Sequence, residues 1–289
     1  MSRPRVLLGL IGASIQKSLS PAMHEAEGDA HGLRIQYRLF DTDVLKLGDD
    51  ALPRLLGAAR LLGFAGVNVT FPFKQAVLPL LDGLSDDARA MHAVNTVVLR
   101  DGRATGHNTD ATGFAWGFRH GLPGASTARV VLVGAGGAGS AVAHAMLGLG
   151  TGELRIVDQE PERAAQLARG ASTRFPDRRI VTASSAGEAL DGASGVINAT
   201  PIGMTKIPGT PFDPALLHAS QWVADCVYRP MDTALLVAAR ARGCPTLDGG
   251  GMNIGQAVDA FRLFTGLEPE AARMHHTFDR LIAAEREAE

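Results

Sequence analysis

The sequence predicts a two-domain α/β protein, and three observations carry that prediction. Short aliphatic runs of strand character alternate with stretches of helical period along nearly all of the 289 residues. The stretch Val130 to Asp158 joins a strand, a glycine-rich turn, a helix and a second strand that ends in an acid. That stretch begins near the middle of the chain, so the residues before it are enough for an α/β domain of their own.

In the first domain Val6 to Ile11 reads as a strand, Pro21 to His31 as a helix, Ile35 to Asp41 as a strand, Val44 to Leu62 as a helical region and Gly66 to Val69 as a third strand. Such alternation implies a largely parallel sheet whose ligands bind beyond the carboxyl ends of the strands. After Gly106 the run NTDATGFAWGFRHGL reads as a connecting helix. Beyond the second strand of the central stretch come a helix over Glu162 to Arg169, strands over Arg179 to Thr182 and Gly195 to Asn198, and a loop over Ala199 to Met204. A strand over Trp222 to Cys226, a helix over Thr233 to Arg242 and a short strand over Pro245 to Leu247 complete this domain. Helices from Met252 to about Thr265 and from Pro269 onward are expected to return to the first domain. The expected division is residues 1–110, completed by 252–289, and residues 111–251.

Each part of the central stretch has a physical task. Val130 to Val133 is suited to a parallel strand buried on both faces. Gly134, Gly136 and Gly139 follow the pattern G-x-G-x-x-G: a tight turn, a backbone able to approach a pyrophosphate, and close packing of helix on strand. A phosphate would rest on free N–H groups at the helix N-terminus. Asp158 closes the next strand, 19 residues after Gly139, where an acid accepts hydrogen bonds from the adenosine ribose hydroxyls. A carboxylate there repels a 2'-phosphate, so the expected cofactor is NAD. The alternative, glycines used for geometry alone, leaves the flanking strands and the acid unexplained.

Composition narrows the function classes. An apolar content of 46% supports two cores, and a net charge of −2 without a basic stripe argues against nucleic acid as a partner. Cys226 and Cys244 lack C-x-x-C spacing, which fits reduced thiols, a cytoplasmic location and no metal site. The run Val6 to Ile11 is too short to cross a bilayer. The expected partner is a small-molecule substrate, with the chain a monomer or homodimer.

Three polar clusters in the first domain lie at expected strand ends or helix starts, where a substrate could be held. Ser18 and Ser20, before Pro21, have hydroxyls able to reach one carboxylate; the alternative is a Ser20 helix cap with Pro21 in the first turn. Lys74 closes the run Asn68-Val69-Thr70-Phe71-Pro72-Phe73-Lys74 at an expected helix start, where the dipole disfavours a cation. That cost suggests function, against the alternative of an ordinary surface lysine. Asn95-Thr96 joins Gly106-His107-Asn108-Thr109-Asp110, whose aspartate alone would read as a helix N-cap.

Taken in order, S-x-S-P, N-V-T-x-P-x-K, A-V-N-T, G-x-N-T-D and G-A-G-G-A resemble the shikimate dehydrogenase family. The likeness continues through Asn198-Ala199-Thr200-Pro201-Ile202-Gly203-Met204, Asp225-Cys226-Val227-Tyr228 and Asp248-Gly249-Gly250-Gly251-Met252, followed by Gln256-Ala257. The resemblance implies an N-terminal substrate domain and a Rossmann dinucleotide-binding domain. It implies that Lys74 and Asp110 are the catalytic pair, that Ser18 and Ser20 bind the substrate carboxylate, and that Thr70, Asn95 and Gln256 hold ring hydroxyls, with Tyr228 closing the site. It places Gly134, Gly136, Gly137, Ala138, Gly139, Asp158, Arg163, Thr200, Met204, Val227 and Gly251 at the cofactor. The implied reaction is hydride transfer between C3 of a cyclic hydroxy acid and the nicotinamide, with either member of the pair as general base.

The chain departs from the common family pattern at two places, and from one branch of the family at a third. An asparagine-arginine-threonine turn usually meets an NADP 2'-phosphate, and here the run is Asp158-Gln159-Glu160-Pro161, which resembles the NAD-using quinate/shikimate branch. Arg163 is within reach of the adenosine half or is an exposed helix arginine. Ser20 stands where that branch often has threonine, so shikimate is expected as the better substrate and quinate as a secondary one; an aminoshikimate dehydrogenase and a non-catalytic sensor are the alternatives. Lys17 replaces the usual histidine, with no assignable effect.

Overall fold

The computed structural model describes residues 3–48 and 50–288. They form two compact units, one running to Thr109 and resuming at Gln256, the other spanning Asp110–Gly255.

The first unit begins with β1 (Arg5–Gly12), α1 (Ser20–Ala30) and β2 (Arg34–Asp41). The expected helical region beyond β2 is broken into α2 (Thr42–Leu45) and α3 (Ala51–Leu61), because Lys46 turns left-handed at the end of α2. Then come β3 (Gly66–Val69), β4 (Gly83–Leu84), α4 (Asp86–Met91), β5 (Thr96–Arg100) and β6 (Arg103–His107). The six strands lie in the order β2-β1-β3-β5-β6-β4. The sheet is parallel except at β5, which runs antiparallel to both β3 and β6. β5 and β6 form a hairpin with Asp101 and Gly102 at positive φ, a local pairing that the parallel expectation did not include.

On one face of this sheet Ile11, Val67, Val69 and Val97 bury against Leu52, Leu56 and Ala59 of α3. Each such side chain contributes about 1.5 to 3 kcal/mol when fully buried. The unit is completed by the end of the chain. Buried Glu27 on α1 accepts from the Glu270 N–H at 2.8 Å and from the Arg273 guanidinium at 2.8 Å, which ties α1 to the C-terminal helix.

The second unit contains α5 (Asp110–Gly121), β7 (Arg129–Val133), α6 (Gly137–Gly148), β8 (Glu153–Val157), α7 (Pro161–Arg174), β9 (Arg179–Thr182), α8 (Ala186–Leu190), β10 (Gly195–Asn198), β11 (Trp222–Asp225), α9 (Ala234–Ala241) and β12 (Thr246–Leu247). Every strand pair is parallel, and the order is β12-β11-β10-β7-β8-β9. The order reverses between β7 and β10, the switch point where doubly wound sheets bind ligands. α10 (Gly250–Thr265) carries the chain back into the first unit, and α11 (Ala271–Ala288) packs on α1. Cys244 is buried and Cys226 half-buried, and neither is in a disulfide. Among the described residues no helix is long and apolar enough to cross a membrane.

Candidate active site

The strand registers bring the polar clusters of the first unit to one edge of its sheet. Ile11 pairs with Val69, Asn68 with Thr96, and Thr96 with His107, so the ends of β1, β3 and β6 align with the start of antiparallel β5. The reversal of β5 is what puts Asn95, which precedes a strand, beside residues that follow strands. In an all-parallel sheet it would lie at the other edge. A cavity of about 450 Å³ lined by Arg5, Arg34, Gln36 and Gly63 lies at that other edge, away from these clusters.

Ser18 and Ser20 lie where the loop from β1 enters α1. Ser20 is the first helical residue and Leu19 the cap position, and no side chain caps the helix. The hydroxyl of Ser20 is therefore not used as a cap: Leu19, at φ −86° and ψ −9°, precedes the helix and Ser20 begins it. The Ser20 N–H donates to Ser18 Oγ at 3.3 Å. Asp41, at the end of β2, anchors the preceding loop: its carboxylate accepts from the Ser14 and Ile15 N–H groups and from the Gln16 amide, at 2.9 to 3.2 Å. Burial pushes the Asp41 pKa up, but hydrogen bonds from Gln16, Ile15, Asp43 and Ser14 outweigh it and hold the carboxyl below its ordinary value. Sequence reasoning missed this residue. The available signal was an acid closing a strand just before a Thr-Asp helix start.

Thr70 follows β3, and its N–H donates to the Ile11 carbonyl at 3.0 Å. A Cβ at Gly12 would lie 2.3 Å from Thr70 Cγ2, so the glycine in β1 makes room for this threonine. Lys74 is half-buried in a series of turns over residues 71–77, not at the start of an α-helix, so the helix-dipole reason for singling it out does not hold. Its carbonyl accepts from the Val94 N–H at 2.8 Å, which fixes its backbone beside the Asn95 segment.

Asn95 is buried at the centre of a polar chain. Its Oδ1 accepts from the Thr109 N–H at 2.8 Å and from Thr96 Oγ1 at 2.9 Å, and its Nδ2 donates to Thr109 Oγ1 at 3.0 Å. Thr109 Oγ1 reaches the Gln256 carbonyl at 3.1 Å. Asn68, in β3, accepts from the Tyr37 hydroxyl at 2.7 Å and donates to the Asn95 carbonyl and Thr96 Oγ1. Asp110 comes directly after Thr109 and is the first residue of α5 rather than its cap, 5% exposed.

In the second unit the glycine-rich turn has the geometry its spacing requires. Gly134 lies at φ +105°, where a side chain is strained, and a Cβ there would meet Ala199 and Thr200 at 2.9 Å. A Cβ on Gly139 would lie 2.0 Å from the Gly134 carbonyl, so this glycine allows α6 to pack on the turn. A Cβ on Gly136 would meet nothing within 4 Å, which leaves open space at the N-terminus of α6 beside Gly137 and Ala138. That combination fits a dinucleotide pyrophosphate: two glycines set by packing, and one set by what approaches from outside.

Asp158 follows β8 and is held against the turn. Its Oδ2 accepts from the Ala135 N–H at 2.6 Å and its Oδ1 from the Glu160 N–H at 2.9 Å. Two lone-pair directions of the carboxylate stay available for ribose hydroxyls. Arg163 is exposed on α7, with its guanidinium 3.0 Å from Glu160.

Thr200 and Met204 lie in the loop after β10, and Val227 and Tyr228 lie after β11. The Arg229 guanidinium stands 6.0 Å from the centre of the Tyr228 ring. Gly251, near the start of α10, has a packing reason for its residue type. A Cβ there would lie 2.8 Å from Gly117 Cα, and one on Gly255 would lie 2.7 Å from Gly113 Cα. Buried Asp225 ends β11. Burial pushes its pKa up to about 6, against hydrogen bonds from Val227, Thr233 and Asn198.

Comparison with known proteins follows the same division. Residues 10–97 match the model of the shikimate dehydrogenase substrate binding domain, and residues 118–200 match that of the ThiF family. A shikimate dehydrogenase (NADP(+)) from Streptomyces avermitilis is 55% identical over 276 residues, 95% of each chain. A quinate/shikimate dehydrogenase (NAD(+)) from Corynebacterium efficiens is 51% identical over 281 residues, 96% of this chain and 99% of that one. The solved structure of quinate dehydrogenase from Corynebacterium glutamicum in complex with NAD is similar with a TM-score of 0.86 at 50% identity, covering 96% of this chain and 99% of that one.

Proposed function

Because this chain belongs to the shikimate dehydrogenase family, we propose that it interconverts shikimate and 3-dehydroshikimate with NAD, and quinate and 3-dehydroquinate as secondary substrates. The observation that carries the cofactor choice is Asp158, a carboxylate held at the end of β8 against the glycine-rich turn. It accepts from ribose hydroxyls and repels a 2'-phosphate. Arg163, the first cation after Asp158 in sequence, is engaged by Glu160. The relatives' names divide between NADP(+) and NAD(+), so the local chemistry has to decide.

The roles in this proposal are those that the family resemblance implies for these residues. Ser18 and Ser20 donate their hydroxyls to the substrate carboxylate, and Thr70, Asn95 and Gln256 bind the ring hydroxyls. Lys74 and Asp110 bind the C3 hydroxyl and exchange its proton as the carbon is oxidised. Gly134 to Gly139, Asp158, Thr200, Met204 and Val227 would hold the dinucleotide, whose nicotinamide ring would supply the hydride acceptor. Tyr228 covers the reacting groups. Ser20 carries one methyl fewer than threonine, and a single methyl is worth about 1 to 3 kcal/mol in a pocket, which supports shikimate over quinate. A sensor would have no use for the Lys74 and Asp110 proton groups.

Initial rates with shikimate and quinate, each against NAD and NADP, test the proposal. The expected order is shikimate with NAD first. Faster turnover with NADP removes the role given to Asp158, and absence of oxidation in all four combinations removes the catalytic reading.

A further inference from the structure

We propose that Asn198, Asp225 and Thr233 form a buried bracket whose task is to position the two loops that hold the nicotinamide half of the cofactor. The three are positioning residues, and the proposal rests on the cofactor reading above. The loops leave the carboxyl ends of β10 and β11, on the side of the switch point opposite Asp158, and the glycine-rich turn rests on the first of them through Ala199 and Thr200.

Asn198 is fully buried, and all four of its hydrogen-bonding positions are used. Its Nδ2 donates to the Ile202 carbonyl and to Asp225 Oδ1, both at 2.9 Å, and its Oδ1 accepts from the Thr200 N–H at 2.9 Å and from Thr200 Oγ1 at 2.7 Å. The loop over residues 200–202 is thus wrapped around one amide. Asp225, 1% exposed, passes the restraint on: Oδ1 also accepts from the Val227 N–H at 3.0 Å, and Oδ2 accepts from Thr233 Oγ1 at 2.7 Å. Thr233 in turn accepts from the Leu236 N–H and caps α9. One chain of side chains joins both loops and a helix end.

Strand pairing does not need this bracket. β10 and β11 are already in backbone register, with Asn198 opposite Asp225. What the bracket adds is control of the segments beyond the strands, where backbone pairing stops. It does so with a buried carboxylate facing neutral donors, an arrangement that costs stability and that a purely structural site would avoid.

The test is a calorimetric titration with NAD, together with KM values for NAD and shikimate, for the wild type, Thr233→Val, Thr233→Ser and Asp225→Asn. Loss of a hydrogen bond to a charged group corresponds to about a tenfold change or more. Thr233→Val is expected to weaken NAD binding about tenfold and raise the NAD KM to match, with the shikimate KM within about twofold. Thr233→Ser keeps the hydroxyl and should restore most of the affinity. Asp225→Asn keeps the cap of α9 and the acceptor for Val227 and Asn198 but turns the group facing Thr233 from an acceptor into a donor, so it should weaken NAD binding in the same direction by less, which guards against a Thr233→Val variant that fails to fold. Unchanged NAD affinity in a folded Thr233→Val or Asp225→Asn protein overturns the bracket, as does an equal rise in both KM values. A wild type that binds NADP and not NAD strikes the cofactor reading alone, and the same rank order is then expected with NADP.

Discussion

Asp225→Asn should make this protein more stable at pH 8 and leave it unchanged near pH 4. The carboxyl is 1% exposed and meets only neutral donors, and burial pushes its pKa from 3.8 up to about 6. Because the folded pKa lies above the unfolded one, the native state binds the extra proton between those two values. Stability then falls as pH rises through that window and stays lower above it. A shift of roughly two pH units corresponds to a cost of about 3 kcal/mol at pH 8. Asparagine is a neutral isostere that still accepts from Val227 and Asn198, so the variant behaves as the protonated wild type does and lacks the step. Urea denaturation followed by fluorescence, to which buried Trp222 contributes, measures the difference from pH 4 to 8. Other titrating groups cancel between the two proteins. A variant less stable than wild type at pH 8, or a difference that is the same at both ends of the range, refutes the reasoning.

Three other outcomes are expected. Lys74→Ala should lower kcat by about a hundredfold or more with NAD affinity and melting temperature retained, since the Lys74 contact to Val94 is made by its backbone; unfolding would show instead that the side chain is structural. Gly136→Ala should fold normally but lose about tenfold or more in NAD affinity by titration, whereas Gly139→Ala, whose Cβ would lie 2.0 Å from the Gly134 carbonyl, should lower the melting temperature itself. Glu27→Ala should lower unfolding free energy by about 2 to 3 kcal/mol in denaturant titration, because it removes the acceptor shared by Arg273 and the Glu270 N–H.

The parts of the fold that were legible in the sequence are those governed by local rules. β3 and β9 match their expected residues because each is a short run bounded by turn residues. The glycine-rich turn was legible because its geometry follows from three residues without side chains. What was not legible depends on partners distant in sequence. The direction of β5 decides that Asn95 shares an edge with Thr70 and Thr109, and nothing in the run Thr96–Arg100 encodes that direction. Asp41 looks like a helix start from its neighbours, but its larger role is toward a loop 25 to 27 residues earlier. Gly251 reads as part of a glycine-rich motif, whereas its packing partner, Gly117, lies on α5.

Overall similarity is a poor guide to the cofactor of this chain, for a physical reason. In the proposed reading, the choice between NAD and NADP turns on whether one phosphate meets one carboxylate. Two unit charges about 4 Å apart interact by about 1 kcal/mol in water and about 4 kcal/mol near a protein surface. That range spans roughly a fivefold to a thousandfold preference from a single side chain. One residue among 289 leaves percentage identity almost untouched, and relatives sharing half their residues with this chain carry both cofactor names. The residue after β8 therefore bears on the cofactor more directly than overall identity does. Here it is Asp158, fixed by two backbone N–H groups and with lone pairs to spare for a ribose. Asp158→Asn keeps the shape and removes the charge, so it should narrow the gap between NAD and NADP in kcat/KM by about fivefold or more. An unchanged ratio would mean that selection is made elsewhere on the turn.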